Sequence, residues 1–241
     1  MEDSSSIRVL TRFELRCDGI AVELPLAAQR ILALLAIRDR REPRSVLATV
    51  LWPDTTEHRA AANLRTALWK LGRRHPPVVR TTRTHVSLNG DVDIDVAAVV
   101  GQARRLIGPG DVDERDLDPG PLTSDLLIDW DEEWLVVERE RLRQLRLHAL
   151  EALAHRLSGA GRHAGAVEAA LMAVSSEPLR ESAQRALISA HLSEGNVSEA
   201  LQQHRSYTAL LWSEIGIRPS DELDALVADF VGGARSAAAH G

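Results

Sequence analysis

Apolar and polar residues alternate at the start of the chain. The alternation runs over residues 7–15, stops at Asp18 and Gly19, and resumes at Val22 and Leu24. A period of two is typical of strands with one buried face, and an Asp-Gly pair favours a tight turn. The pattern therefore predicts a small β-hairpin.

Helical spacing of apolar residues follows. Residues 26–39 carry Ile31, Leu34 and Leu35 at this spacing and are followed by the polar stretch 40–44. Ser45 is a preferred residue type for a helix N-cap, which predicts a short second helix over residues 46–51. A third helix is predicted after residue 56.

The third helix has two chemically different faces. At 100° per residue, Leu64, Leu68 and Leu71 lie on one side, which can pack against the first two helices. The opposite side carries polar and cationic residues within about 100° of arc: Arg59, Asn63, Thr66, Lys70, Arg73 and Arg74. This side is expected to point outward.

A second hairpin is predicted from residues 78–82 and 84–88, with Arg83 at its tip. The order β, β, α, α, α, β, β is that of a winged helix-turn-helix, in which the third helix enters the major groove of DNA and the hairpin forms the wing. The pattern predicts a DNA-binding domain over residues 1–95. The alternative is a helix with an ordinary solvated face.

Residues 96–241 are expected to form a second, all-α domain. Helices are predicted over residues 134–157, 164–175, 182–192, 198–215 and 221–230. Leu153, Gly161 and Ala166 reappear 34 positions later as Leu187, Gly195 and Ala200, and 34 residues is the period of a tetratricopeptide helix pair. The expected fold class is mainly α with small β elements, and a helical bundle with accidental spacing is the alternative to the repeat.

Charge is distributed unevenly along the chain. The 241 residues have a net charge of −6, but residues 4–90 hold 15 basic and 7 acidic side chains, a net of +8. Residues 96–241 have a net charge of −9. The basic charge is thus confined to the predicted DNA-binding domain, and the acidic domain should be repelled by DNA and contact protein instead.

The exposed side of the third helix contains the candidates for sequence recognition. Arg59, Asn63 and Thr66 lie toward its start, where recognition helices meet base edges: Arg can bind guanine and Asn can bind adenine. Lys70, Arg73 and Arg74 lie farther along, where phosphates are the expected partners.

Four further residues border this face or form the wing. Arg65 could reach a phosphate, and Trp69 could either pack between helix and wing or touch DNA. Arg83 at the wing tip suits the negative potential of a narrow minor groove, and Arg80 could support the tip through its backbone. For each arginine the alternative is an exposed charge without function.

The sequence offers little support for other chemistry. Nine His residues are scattered, and no metal-binding set, cofactor site or catalytic centre is predicted, so the chain is not expected to be an enzyme.

The acidic stretches 111–118 and 129–133 are expected to be solvated loops or helix starts. Trp52 and Trp134 are expected to anchor cores. No apolar run can span a membrane, and a cytoplasmic location is expected.

Four segments carry a resemblance to a known family: LWPD at residues 51–54, ANLRTALWKL at 62–71, DWDEEWLVVERERLRQL at 129–145 and EIGIRPSDEL at 214–223. With them the chain resembles the Streptomyces antibiotic regulatory proteins, which join a winged helix to a bacterial transcriptional activator domain. The resemblance implies an activator that binds direct repeats near promoters, in tandem or as a homodimer, and recruits RNA polymerase.

Two other functions remain open from the sequence. The helical array could be a protein-interaction scaffold, or it could hold a small molecule that controls DNA binding. Control by ATP is not expected, because Lys70 is the only lysine and no GxxxxGK[ST] phosphate-binding loop can be formed with it.

Overall fold

The structure, a computed structural model, describes residues 5–72 and 78–237. Contacts along the chain divide it into two compact units. Unit 1 comprises residues 1–101 and 124–143, and unit 2 comprises residues 102–123 and 144–241.

A four-stranded sheet belongs to unit 1. It contains β1 (Ser5–Arg8), β2 (Glu14–Cys17), β3 (Ile20–Ala21) and β7 (Val92–Ile94), in the order β3-β2-β1-β7. Strand β1 is antiparallel to β2 and parallel to β7. The hairpin predicted around Asp18 and Gly19 is confirmed, and both residues have a positive φ (52° and 77°). The stretch 7–15 is two strands instead of one, because Thr11, with a φ of 69°, lies in a turn between β1 and β2.

Three helices follow in unit 1: α1 (Leu26–Arg38), α2 (Arg44–Leu51) and α3 (Glu57–Gly72). All three were predicted, but the expected N-cap at Ser45 is wrong. Helix α2 begins at Arg44, after Pro43, and no side chain caps it. The reason is a short strand, β4 (Glu42–Pro43), which keeps the backbone extended up to residue 43.

The second predicted hairpin is also confirmed. It consists of β5 (Val79–Thr81) and β6 (His85–Leu88), and β4 adds a third strand in the order β4-β6-β5. The strand was not predicted, because a two-residue strand leaves no alternation in the sequence. Its effect is to join the chain just before α2 to the hairpin.

One hydrophobic core joins the four-stranded sheet, helices α1 to α3 and the start of α5 (Glu133–Gly159). Fully burying one Leu or Ile side chain contributes about 1.5–3 kcal/mol, so this cluster is the main source of stability in unit 1. Its largest fully buried side chains are Ile7, Leu15, Ile31, Leu32, Leu34, Leu35, Leu47, Leu51 and Leu126.

Residues 124–143 lie in unit 1, whereas the predicted boundary after residue 95 placed them in the second domain. The segment pairs with the residues that follow β1, where Leu10 and Leu126 form an isolated β-bridge. Arg139 of α5 donates hydrogen bonds to three carbonyl groups of the segment, those of Leu126, Leu127 and Trp130. The compact unit therefore extends beyond the predicted DNA-binding domain.

Unit 2 is helical. Besides the later parts of α4 (Asp95–Ile107) and α5, it contains α6 (His163–Ser176), α7 (Glu181–Glu194), α8 (Val197–Ile215) and α9 (Asp221–Ala237). Gly161 and Gly195 both adopt a positive φ (73° and 89°) in the turns before α6 and α8, so the predicted 34-residue spacing marks equivalent positions. Buried alanines line α6 and α7 and allow close packing: Ala166, Ala169, Ala170, Ala173, Ala183, Ala186 and Ala190. The predicted fold class is confirmed.

Acidic residues 111–118 were expected to be a solvated loop or a helix start, and a short helix does begin at Glu114, but Asp116 is only 2% exposed. Asp116 belongs to a short 3-10 helix (Glu114–Leu117), and its carboxylate accepts two hydrogen bonds from Arg105, at 2.8 and 2.7 Å. The side-chain amide of Gln102 donates to the carbonyls of Asp116 and Asp118. These bonds fix the loop against α4, and the hydrogen bonds from Arg105 lower the pKa of Asp116.

This pKa shift predicts a pH dependence of stability. A carboxyl group with a lowered pKa stabilises the fold above its ordinary pKa of 3.8, and this contribution is lost as the pH falls through the lower pKa of the folded state. We therefore expect Asp116→Asn to lower the free energy of unfolding at pH 7, and the difference from the wild type to shrink below about pH 4. Urea unfolding at several pH values measures this difference. A difference that stayed constant down to about pH 2 would contradict the assignment.

Candidate nucleic-acid interface

Helix α3 is fixed at its start and along one face. Thr56 precedes it, and the Thr56 carbonyl and hydroxyl accept hydrogen bonds from the backbone N–H groups of Ala60 (2.9 Å) and Arg59 (3.4 Å). Glu57 in the first turn interacts favourably with the helix dipole. The face packed in the core consists of Ala60, Leu64, Ala67, Leu68 and Leu71.

The opposite face of α3 is exposed, as predicted. It presents Arg59, Asn63, Arg65, Thr66 and Lys70. The Thr66 hydroxyl donates to the carbonyl of Ala62 (3.0 Å), so its oxygen is left to act as an acceptor. Arg73 and Arg74, also predicted for this face, lie outside the described residues.

Among the described residues, the exposed cations of α3 have no carboxylate partner. Arg80 and Arg83 of the β5–β6 hairpin, which we call the wing, also have no carboxylate partner among the described residues. Three arginines of α1 and of the turn after it are paired instead: Arg30 with Glu132 (2.6 Å), Arg38 with Glu138 (2.8 Å) and Arg40 with Glu42 (2.7 Å). Unit 1 thus neutralises these three arginines and leaves those of α3 and the wing available to an anion.

Thr82 shapes the tip of the wing. Its hydroxyl oxygen accepts a hydrogen bond from the backbone N–H of His85 (3.0 Å) and lies 3.4 Å from that of Thr84. The backbone N–H of Thr82 also donates to the carbonyl of His85 (2.9 Å). Arg83 lies in this closed turn and is exposed, at the position predicted from the sequence.

The wing is also joined to helix α2. In β4, Glu42 and Pro43 pair with Val86 and His85, and the backbone N–H of Arg44 donates to the carbonyl of Thr84 (2.8 Å). The tip of the wing and the adjoining start of β6 therefore cannot move independently of the start of α2. Arg80 is exposed on β5, opposite Ser87.

A cleft of about 310 Å³ runs beside the exposed face of α3. It is lined by Pro25, Ala27, Ala28, Trp52, Asn63, Thr66, Ala67 and Lys70. The sequence predicted Trp52 as a core residue; it does pack against the core, half-buried, but it also lines this cleft beside the candidate recognition residues. Helical periodicity could not predict that Trp52 lines the cleft, because Trp52 lies in the turn after α2.

Trp69 lies at the end of α3 and is 59% exposed. It lines a second groove, with Glu23, Leu24 and Pro25 on the opposite side. Trp134, by contrast, is buried in the core as predicted.

Other kinds of site are not indicated in the part of the chain that the structure describes. Within residues 5–72 and 78–237, His, Cys, Asp and Glu side chains form no group of three that could hold a metal ion. None of the described helices is both long and apolar enough to cross a membrane.

Comparison with known proteins identifies the second half of the chain. Residues 116–229 match the family described as bacterial transcriptional activator domain. The fold is similar to that of Mycobacterium tuberculosis EmbR, solved in complex with a low affinity phosphopeptide, with a TM-score of 0.72 and 20% sequence identity. The similarity covers 96% of this chain and 66% of the EmbR chain, just under two thirds of its length. No curated protein matches the sequence.

The hydrogen bonds of Thr82 predict a measurable change in the wing. Thr82→Val keeps the shape of the side chain but removes its hydroxyl, so we expect the amide hydrogen of His85 to exchange about fivefold faster, the effect of losing one hydrogen bond of ordinary strength. Hydrogen exchange followed by NMR measures this. Thr81→Val is the matched control, since Thr81 is exposed on β5 and its backbone pairing with Val86 does not need the hydroxyl. Equal exchange in wild type and Thr82→Val would contradict the role of Thr82.

Proposed function

We propose that the chain is a member of the Streptomyces antibiotic regulatory protein family, and that it binds specific sequences in double-stranded DNA and activates transcription by recruiting RNA polymerase. The observation that carries the proposal is the exposed face of α3, whose cations have no carboxylate partner among the described residues, next to a wing that presents Arg83. A helix of this kind fits the major groove, and the wing then lies against the adjacent backbone or minor groove.

Three residues are assigned to the reading of bases. Arg59 and Asn63 lie one turn apart on the exposed face, and each can make a bidentate contact, Arg59 with guanine and Asn63 with adenine. Thr66 lies one turn farther along and offers an acceptor to an amino group of a base, since its own hydrogen is donated within the helix. Each good bidentate contact discriminates against a wrong base by about 1–3 kcal/mol.

The remaining cations are assigned to the DNA backbone and the minor groove. Lys70 lies near the end of α3, where a recognition helix leaves the groove, and Arg73 and Arg74 follow it in the sequence. Arg65 borders the face and can reach a phosphate. Arg83 is assigned to the minor groove and Arg80 to the support of the wing. These contacts set affinity and its dependence on salt rather than sequence preference.

Protein partners are assigned to the acidic part of the chain. Residues 96–241 carry a net charge of −9, which opposes close approach to DNA. We propose that the surface of this region contacts RNA polymerase, and that copies of the protein bind direct repeats in tandem or as a homodimer. The domain division in this proposal is the predicted one, with DNA binding in residues 1–95 and activation in residues 96–241.

Selection of bound sites from random duplex DNA tests the proposal. The full chain should enrich one sequence motif, and footprinting on the enriched DNA should show two protected half-sites in the same orientation. A complete lack of enrichment would contradict sequence-specific binding. The helical array would then be better explained as a protein-interaction scaffold.

The division of roles along α3 predicts different effects of two substitutions. Arg59→Ala should reduce the preference for the selected sequence over an altered base pair by about tenfold or more, while binding to unrelated DNA changes little. Lys70→Ala should weaken binding to all sequences by a similar factor and reduce the dependence on salt. Fluorescence anisotropy with specific and unrelated duplexes measures both effects.

Arg12→Ala is the matched control, because Arg12 is exposed but lies in the turn between β1 and β2. It should leave both affinities nearly unchanged. Equal losses of discrimination in Arg59→Ala and Lys70→Ala would refute the assigned roles.

A further inference from the structure

Arg30 of α1 lies between a carboxylate and an indole ring. Its Nη2 atom is 2.6 Å from Oε2 of Glu132, and its Cζ atom is 5.9 Å from the centre of the Trp52 ring. The side chains of Arg30 and Glu132 are each only 18% exposed. A guanidinium group at this distance from an indole is attracted to the ring, and more strongly when water is excluded.

Glu132 is itself held from a second side. The indole Nε1–H of Trp134 donates a hydrogen bond to the same oxygen, Oε2, at a distance of 3.1 Å. Trp134 lies in the first turn of α5 and is buried. The carboxylate of Glu132 therefore connects the start of α5 to Arg30. Residues 129–133 were expected to be a solvated loop or a helix start; α5 does begin at Glu133, but Glu132 is mostly buried.

Stability alone is a poor explanation of this arrangement. The Nε–H of Arg30 is buried and has no acceptor among the described residues, which is unfavourable for folding. Replacing a buried ion pair by apolar side chains is often neutral or stabilising. What the cluster does supply is a defined position for the Trp52 ring, over which the guanidinium of Arg30 lies.

The position of Trp52 affects the candidate interface in two ways. Its ring lines the cleft that also contains Asn63, Thr66 and Lys70. Its carbonyl accepts a hydrogen bond from the hydroxyl of Thr55 (3.1 Å), in the turn that leads into α3. A displacement of Trp52 would therefore alter both the wall of the cleft and the start of α3.

We propose that Arg30 is a positioning residue that couples the start of α5 to the DNA-contacting face of α3, through Glu132 on one side and Trp52 on the other. This inference rests on the proposed function. It explains why the segments LWPD and DWDEEW, far apart in the sequence, occur together: Trp52 of the first and Glu132 of the second meet at Arg30.

Substitution of Arg30 and Glu132 tests the coupling in the full chain. Arg30→Met removes the charge but keeps much of the volume, and Glu132→Gln keeps the shape but removes the negative charge. Each should lower the ratio of specific to unrelated DNA affinity by about fivefold. Affinity for unrelated DNA should not change, because the side chain of Arg30 is mostly buried and does not belong to the exposed cations. Arg30→Lys, which keeps the charge, should recover part of the ratio.

Arg38→Met is the matched control. Arg38 belongs to the same helix and also forms a short ion pair with α5, through Glu138 at 2.8 Å, but among the described residues the guanidinium that lies over the Trp52 ring is that of Arg30. The control should destabilise the protein without changing the affinity ratio. A ratio lowered equally in Arg38→Met would show general loosening of the unit and overturn the proposal.

A measurement without DNA separates this inference from the proposed function. In NMR spectra of the free protein, the indole N–H signal of Trp52 and the side-chain amide signals of Asn63 should shift in Arg30→Met and Glu132→Gln, but not in Arg38→Met. Unchanged Trp52 and Asn63 signals would overturn the coupling even if the wild type binds DNA. A wild type that binds no DNA would overturn the proposed function, while these signals would still decide whether the coupling exists.

Discussion

The packing of Leu64, Leu68 and Leu71 in the core of unit 1 holds helix α3 in one rotation about its axis. Since residues three and four apart share a face, this packing also determines which side chains point outward. Arg59, Asn63 and Thr66 are exposed because the leucines are buried. A rotation of α3 by one residue would bury a cation without a partner, which is far less favourable than the observed arrangement.

The distribution of carboxylates makes this exposed face chemically useful. Glu42, Glu132 and Glu138 pair with Arg40, Arg30 and Arg38, so these charges neutralise each other within unit 1. The exposed cations of α3 and the wing have no such partners among the described residues. The positions of the acidic residues therefore contribute as much to a phosphate-binding surface as the positions of the basic residues do.

Periodicity predicted the elements whose contacts are local or repeated. The two faces of α3, the wing and the equivalence of Gly161 and Gly195 could all be inferred from the spacing of residues. Features that depend on partners distant in sequence could not. Strand β7 pairs with β1 only in the folded chain, and Asp116 is buried only because Arg105 reaches it.

The same limit applies to the candidate site. The exposed residues of α3 follow from its amphipathic pattern, but the cleft beside them needs Pro25 and Trp52 from other elements. Glu132 belongs to a run of acidic residues that is typical of a solvated helix start, and its ion pair with Arg30 depends on tertiary packing.

The dependence of DNA affinity on salt tests the central claim most directly. If α3 and the wing bind phosphates, the affinity of the full chain for its selected DNA should fall by about 100-fold or more between about 50 and about 200 mM salt, because each phosphate contact releases counterions. Titrations at four or five salt concentrations give the slope of this dependence. An affinity that hardly changed over this range would indicate a mainly apolar protein contact and would contradict the account.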